Sequence, residues 1–331
     1  MTPTGQTPTG QTPTGQTSWT ELTGLPAELL ALAERCLAAD GGLPLAADPG
    51  FLGRRWAGED VSAFGLRAGD GTLLAAGAVR LTPAGPAFTG LVDPAARGRG
   101  LGSELLDYGL TLTGGDDSPA GAHAAGAHAA GPADGEHDST GGVVTVESET
   151  LTDDAAALFA SRGLRQVFAE DVLRIDLTGT SLPGSTWPDG ATMTSWSKPV
   201  AGRFHATYHA SFQDRPGFPG DPADEWIAEN EDDDDFLPDC SLLVTLPDLG
   251  DAGFITAARG WLVQVGVVPT ARRRGLAAAL ITESLTRMRA AGNTQAHLTV
   301  NVNNPGAAEL YRRLGFTDRG RRARFQPASP V

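Results

Sequence analysis

The sequence predicts an α/β protein in which a mixed, mostly antiparallel sheet flanked by helices is built twice along 331 residues. Three observations predict it. At residues 265–281 a run of β-formers breaks at Pro269, crosses an arginine-rich turn and becomes a helical stripe; Leu285 and Met288 continue the stripe, and Gly292 and Asn293 close it. The same strand–proline–arginine–glycine–helix design stands at residues 91–112. Each copy is followed by a second helical segment with a comparable ending, Leu158-Phe159 to Gly163-Leu164 in the first and Leu310-Tyr311 to Gly315-Phe316 in the second.

The elements follow in order. Residues 1–18 hold three copies of Thr-Pro-Thr-Gly-Gln with no large apolar residue, and read as a disordered tail. Leu29, Leu30, Leu32, Cys36 and Leu37 fit an amphipathic helix. Strands are expected at 62–67, 73–80 and 87–92, the first two joined by Gly69-Asp70-Gly71. After the first arginine/glycine turn comes a helix at 101–112. Residues 114–142 are mostly Gly, Ala, Asp and Ser, and read as a flexible insertion. Its His123, His128 and His137 come without cysteine or fixed spacing, so no metal is expected. A strand at 143–146 and a helix at 153–162 close a first unit, 21–177.

Residues 178–190, with Pro183 and Pro188, read as a linker. The second unit, 191–331, opens with a strand at 191–196 and a helix at 200–212. A further helix holds Glu225 and Trp226. Strands are expected at 241–245, 253–258 and 261–268, then the second turn and its helix, a strand at 297–302, a helix from Asn304, and closing strands near Phe316 and Ala323. The run Asp232 to Asp235 reads as a solvated loop, with attraction of a cation to a pocket mouth as the alternative.

A formal charge of −15 argues against nucleic acid and anionic membranes as partners. No apolar run is long enough to span a bilayer and no signal peptide is visible, so no membrane association is expected. Two cysteines, one in each unit, form no disulfide framework and fit a reducing cytoplasm. Monomer and homodimer both stay open.

The turns carry the chemistry. In the second copy Val265, Gly266 and Val267 lead into Arg272, Arg273, Arg274 and Gly275, and the helix opens at Leu276 and Ala277. In the first, Leu91 and Val92 lead to Arg97, Gly98, Arg99 and Gly100, with Leu101 and Gly102 opening the helix. Unpaired N–H groups and the positive end of a helix dipole meet there, which makes an anion site. A glycine lets an anion approach the main chain, and the arginines add charge that does not titrate.

Arg-x-x-Gly-x-Gly/Ala after a strand, followed by Asn304-x-x-Ala307-x-x-Leu310-Tyr311-x-x-x-Gly315-Phe316, resembles the GCN5-related N-acetyltransferase (GNAT) family. The resemblance implies two tandem acyltransferase domains over residues 60–177 and 190–326, and acetyl-CoA as cosubstrate. It is similar in layout to the two-domain acetyltransferases of the mycothiol synthase type. By this resemblance the two turns bind the coenzyme pyrophosphate. The edge of Val265-Gly266-Val267 hydrogen-bonds the pantetheine, and an N–H near Val267 meets the oxyanion. Asn304 holds the cofactor. Tyr311, two helical turns on and facing the same way, is the general acid toward the leaving sulfur. The first copy has Phe159 where the tyrosine would be, which implies a catalytically silent unit.

The expected activity is acetyl transfer to the primary amine of a small molecule; a mycothiol synthase and a non-catalytic coenzyme sensor are the alternatives. The general base stays open. The resemblance puts a glutamate where this chain has Trp261, and Gln264 takes no proton. His209, Glu225, Asp239 or a water chain are the replacements considered.

Overall fold

The computed structural model describes residues 18–113, 142–179, 181–215, 218 and 220–328. The repeat tail and the histidine-bearing insertion lie outside the described residues, but for their end residues Ser18 and Gly142.

In the first half, β1 (Thr20–Glu21) and α1 (Ala27–Asp40) precede α2 (Pro49–Trp56), β2 (Val61–Arg67), β3 (Leu73–Thr82) and β4 (Gly85–Val92). Next come α3 (Leu101–Thr113), β5 (Thr145–Ser148), α4 (Asp153–Ser161) and β6 (Leu164–Asp176). The second half repeats this with β7 (Thr192–Ser195), α5 (Ala201–Phe212), α6 (Ala223–Glu231), β8 (Leu242–Leu246), β9 (Gly250–Ala258) and β10 (Trp261–Val267). It ends with α7 (Leu276–Ala290), β11 (Gln295–Asn301), α8 (Pro305–Arg313) and β12 (Thr317–Pro327). Helix α2, absent from the sequence-based expectation, is hidden by Gly50 and Gly53. It forms because Pro49 presets the first turn and the Asp48 side chain caps the Phe51 N–H. The two closing strands expected near Phe316 and Ala323 are one strand, bulged between Asp318 and Gly320.

The twelve strands of the described residues lie in one sheet, ordered β1-β2-β3-β4-β5-β12-β6-β11-β10-β9-β8-β7. Matching β1 with β7, β2 with β8 and so on makes that order the same from either end. The halves exchange their last strands. β6 pairs antiparallel with β11 along its length, Gln295 facing Asp176 and Asn301 facing Glu170. β12 lies between β5 and β6, facing β5 through Ala323, Arg324 and Phe325. The exchange reaches the cores. Leu173 and Ile175 of β6 are buried in the cluster that holds Leu280, Leu298 and Tyr311. Ala323 and Phe325 of β12 are buried with Phe88 and Leu105 of the first half. Alternation along a strand sends these apolar side chains to one face, so each half's core is completed by the other's terminal strand.

The second half has two layers on its sheet. α7 and α8 cover one face through Leu262, Leu276, Leu298 and Tyr311. α5 and α6 cover the other with an aromatic cluster of Trp196, Phe204, Tyr208, Trp226 and Phe254.

Candidate active site

β10 and β11 run parallel, yet they share a single register pair, Trp261 with His297. Beyond it they diverge. On its other side β10 stays paired with β9 as far as Val267 opposite Gly253. Its ladder slips between Leu262 and Gln264, which leaves Val263 half exposed. The edge of β10 that faces β11 is therefore unpaired from Val263 to Val267, and a wedge opens toward the arginine turn. A free strand edge of this kind accepts an extended amide chain as an added strand would.

The turn is built by backbone geometry. After a short 3₁₀ turn at Pro269–Ala271 the chain passes through Arg273 at φ 66° and Gly275 at φ 82°. Arg273 is the one non-glycine residue with a left-handed backbone among the described residues. The first copy has glycines at both places, Gly98 at φ 74° and Gly100 at φ 88°. Nothing lies within 4 Å of where a Cβ on Gly275 would stand, so an anion can reach the first N–H groups of α7.

Arg272 is tied to the protein itself. Its guanidinium meets the Asp214 carboxylate at 2.6 and 2.9 Å, the Ser211 carbonyl at 3.0 Å and the Val267 carbonyl at 3.2 Å. The pair holds Asp214 below the usual carboxylate range. Arg97 does the same in the first half, gripping Asp40 at 2.6 and 2.7 Å and the Val92 carbonyl at 3.2 Å. These arginines brace the turns against the ends of α1 and α5. Arg274 is paired with Asp248 at 2.9 Å. Arg273 has no side-chain partner among the described residues, and its charge is the one left for an anion. Among the described residues Arg99 donates to the Ala95 carbonyl alone.

Asn304 caps α8, its Oδ1 accepting from the Ala307 N–H at 3.2 Å. Tyr311 lies two turns further, buried beside Phe316 with ring centres 6.0 Å apart. Its hydroxyl makes no hydrogen bond to the described residues. Burial pushes the phenol up to about 12, so its proton is retained at neutral pH.

The opposite face of the wedge is aromatic. Trp226 donates its indole N–H to Gln264 Oε1 at 3.0 Å and stacks on Tyr208, ring centres 4.9 Å apart. The Tyr208 hydroxyl donates to Asp221 at 2.5 Å. Gly266 faces this side, where a Cβ would stand 2.5 Å from Phe254 and 2.8 Å from Ser211. Of the bases considered from sequence, His209 and Glu225 are exposed on α5 and α6. Asp239 is exposed, its carbonyl receiving Arg287 from the last turn of α7. Asp232 to Asp235 are exposed, and Asp235 pairs with Arg259.

One residue escaped sequence reasoning. His297 is buried where the wedge closes, its ring 5.3 Å from that of Trp261. Its only sequence signal is a histidine inside an apolar strand, which is ordinarily a packed core residue.

The first half keeps half of this design. β4 and β5 pair from Ala87 opposite Thr145 to Thr89 opposite Glu147 and then part. A cavity of about 210 Å³ lies there, lined by Leu91, Val92, Arg97, Gly98, Gly102 and Phe159 among others. The other side is filled. Arg55 pairs with Glu147 and Glu149, Arg80 with Glu147, and Arg324, brought in by β12, with both glutamates. This ion network lies on the side of α2, beside the apolar cluster of Leu29, Leu32 and Trp56.

Residues 209–316 match the model of the acetyltransferase (GNAT) family, and the match spans the wedge, the turn and α8. The chain carries a GNAT acetyltransferase domain. It is 29% identical over 329 residues to a mycothiol acetyltransferase of Thermobispora bispora, covering 90% of this chain and 94% of that one. A mycothiol acetyltransferase of Clavibacter sepedonicus is 28% identical over 299 residues, 88% of each chain. Among solved structures, a GCN5-related N-acetyltransferase from Sphaerobacter thermophilus superposes with a TM-score of 0.67 at 22% identity, covering 95% of this chain and 97% of that one. A tandem GNAT protein from the clavulanic acid biosynthesis pathway gives 0.58 at 14% identity, covering 95% and 99%. The GNAT fold is thus present in tandem.

Proposed function

We propose that the second half transfers an acetyl group from acetyl-CoA to the primary amine of a small molecule. The observation that carries this reading is the unpaired edge of β10 from Val263 to Val267, which runs from the closed end of the wedge to the anion-accepting turn at Gly275. Main-chain N–H groups from Arg274 to Ala277 and the charge of Arg273 receive the pyrophosphate. Val265, Gly266 and Val267 hydrogen-bond the pantetheine arm, which carries the thioester on toward the bulge at Val263, so the N–H set against the developing oxyanion belongs to that end of the edge rather than near Val267. Bound acetyl-CoA supplies the activated acyl group. Asn304 orients the cofactor at the head of α8, and Tyr311 gives its proton to the departing sulfur.

The first half, residues 21–177, acts in this reading as a coenzyme-holding or structural unit without turnover. Leu91, Val92 and Arg97 to Gly102 frame its cleft, Phe159 offers no proton, and the ion network leaves an amine no approach. A cytoplasmic location is inferred with it. A second reading, acetylation of the desacetyl precursor of mycothiol, is supported by the near full-length similarity to the two mycothiol acetyltransferases. The test is acetyl-CoA consumption by the full chain over glucosamine, kanamycin, lysine methyl ester and desacetyl mycothiol. Consumption with one of them is expected. A rate equal to the protein-free rate with all four rejects the reading.

A further inference from the structure

We propose that His297 is the general base of the transfer, taking through Nε2 the proton that the acceptor amine sheds at the closed end of the β10–β11 wedge. This rests on the acetyl-transfer reading above. Neighbours in β11 fix the direction of the side chain. Ala296, Leu298 and Val300 are buried in the core under α7 and α8, so alternation turns His297 to the opposite face, the one that carries Trp226 and Gln264. Register then sets its companions. Trp261 on β10, His297 on β11, Arg174 on β6 and Thr317 on β12 form one row across four adjacent strands. The row lies at the last rung before the wedge opens, next to the bulge at Val263.

The chemistry of the row suits a base. His297 Nδ1 lies 3.4 Å from the Gly260 carbonyl, the one ring-nitrogen contact of this residue with the described residues. A proton on Nδ1 directed at that carbonyl leaves Nε2 as the lone-pair nitrogen. The groups facing the ring are Trp261 from β10, Arg174 from β6 and Arg319 from β12, with no carboxylate among them. Burial, opposed by the Gly260 carbonyl and aided by these two arginines, holds the imidazole below its ordinary value, so it is neutral and ready to accept at neutral pH. His209 and Glu225 are exposed, and Gln264 and Trp226 carry nothing that titrates.

The step balances. As the amine nitrogen bonds to the thioester carbonyl carbon and the carbon–sulfur bond breaks, His297 takes one proton from nitrogen and Tyr311 gives one to sulfur. The arginines disfavour the imidazolium that forms, which returns its proton to solvent. Arg174 belongs to the first half, so the strand exchange gives that half a positioning residue in the second half's site.

The experiment measures kcat/KM against pH for the full chain, using the amine of the four above that the wild type acetylates, in wild type, His297→Gln and Arg174→Gln. Calorimetry with coenzyme A checks that each variant keeps its cofactor site. His297→Gln is expected to lose about 10²-fold or more at pH 7 and to lose the acid limb of the profile. Arg174→Gln, at a partly exposed position, is expected to move that limb to higher pH, because a positive neighbour has gone; this arm decides if the glutamine variant does not fold. Wild-type rates in His297→Gln, or an acid limb that stays in place in Arg174→Gln, overturn the assignment alone. A wild type that acetylates none of the four amines overturns the transfer reading, and the base with it.

Discussion

The Asp214 carboxylate grips both terminal nitrogens of Arg272, at 2.6 and 2.9 Å, and through this contact the end of α5 holds the turn that precedes α7. Both side chains are more than two-fifths exposed, so solvent screens the pair and its direct contribution to stability is small. Its effect is on shape. Asp214→Ala is expected to change the denaturation midpoint little and to weaken coenzyme A binding several-fold, read by calorimetry. Arg273→Ala tests the complementary point: affinity falls, and the salt dependence of binding becomes shallower because one cation fewer faces the phosphates.

Tyr311→Phe keeps the ring and removes the proton. Turnover is expected to fall about 10²-fold or more, with coenzyme A affinity unchanged. Equal turnover removes Tyr311 from the mechanism.

Gly266 has no room for a side chain. Gly266→Ala puts a Cβ 2.5 Å from the Phe254 ring and 2.8 Å from Ser211, and both neighbours are packed. A loss of about 1–3 kcal/mol is expected, seen as a lower urea midpoint at constant slope.

The buried His297 gives stability a pH dependence. Its folded-state pKa lies below the unfolded value of about 6.5, chiefly through burial, with the Gly260 carbonyl opposing. Between the two values the unfolded chain binds more protons, so stability rises with pH through that window and falls as pH drops below about 6.5. Urea midpoints at two pH values on either side of that point measure it. His297→Gln is expected to flatten this part of the slope.

Arg324 carries the strand exchange into a buried ion network, its side chain 16% exposed against 12% for Glu147 and 8% for Glu149. Removing one partner leaves buried carboxylates short of a cation, although Arg55 and Arg80 remain. Arg324→Met is expected to destabilise the fold toward the low end of about 3–5 kcal/mol. Because β12 belongs to the first half's sheet and the second half's chain, both halves are expected to unfold in one transition, followed by near-ultraviolet dichroism.

What this sequence determines by itself is local. Pro269, Gly275 and the stripe from Leu276 specify a strand, a turn and a helix start within a few residues, and the same grammar at Pro94 and Gly100 announces the other copy. Helix periodicity likewise puts Asn304 and Tyr311 on one side of α8. Pairing across the sheet is decided elsewhere, because a strand's partner depends on which apolar faces meet in three dimensions and not on its own residues. Only the tertiary structure shows β6 and β12 exchanged, the wedge open beyond Trp261, and Arg174 in a row with His297 from the other half. It also pairs Arg272 with an aspartate that lies 58 residues away along the chain.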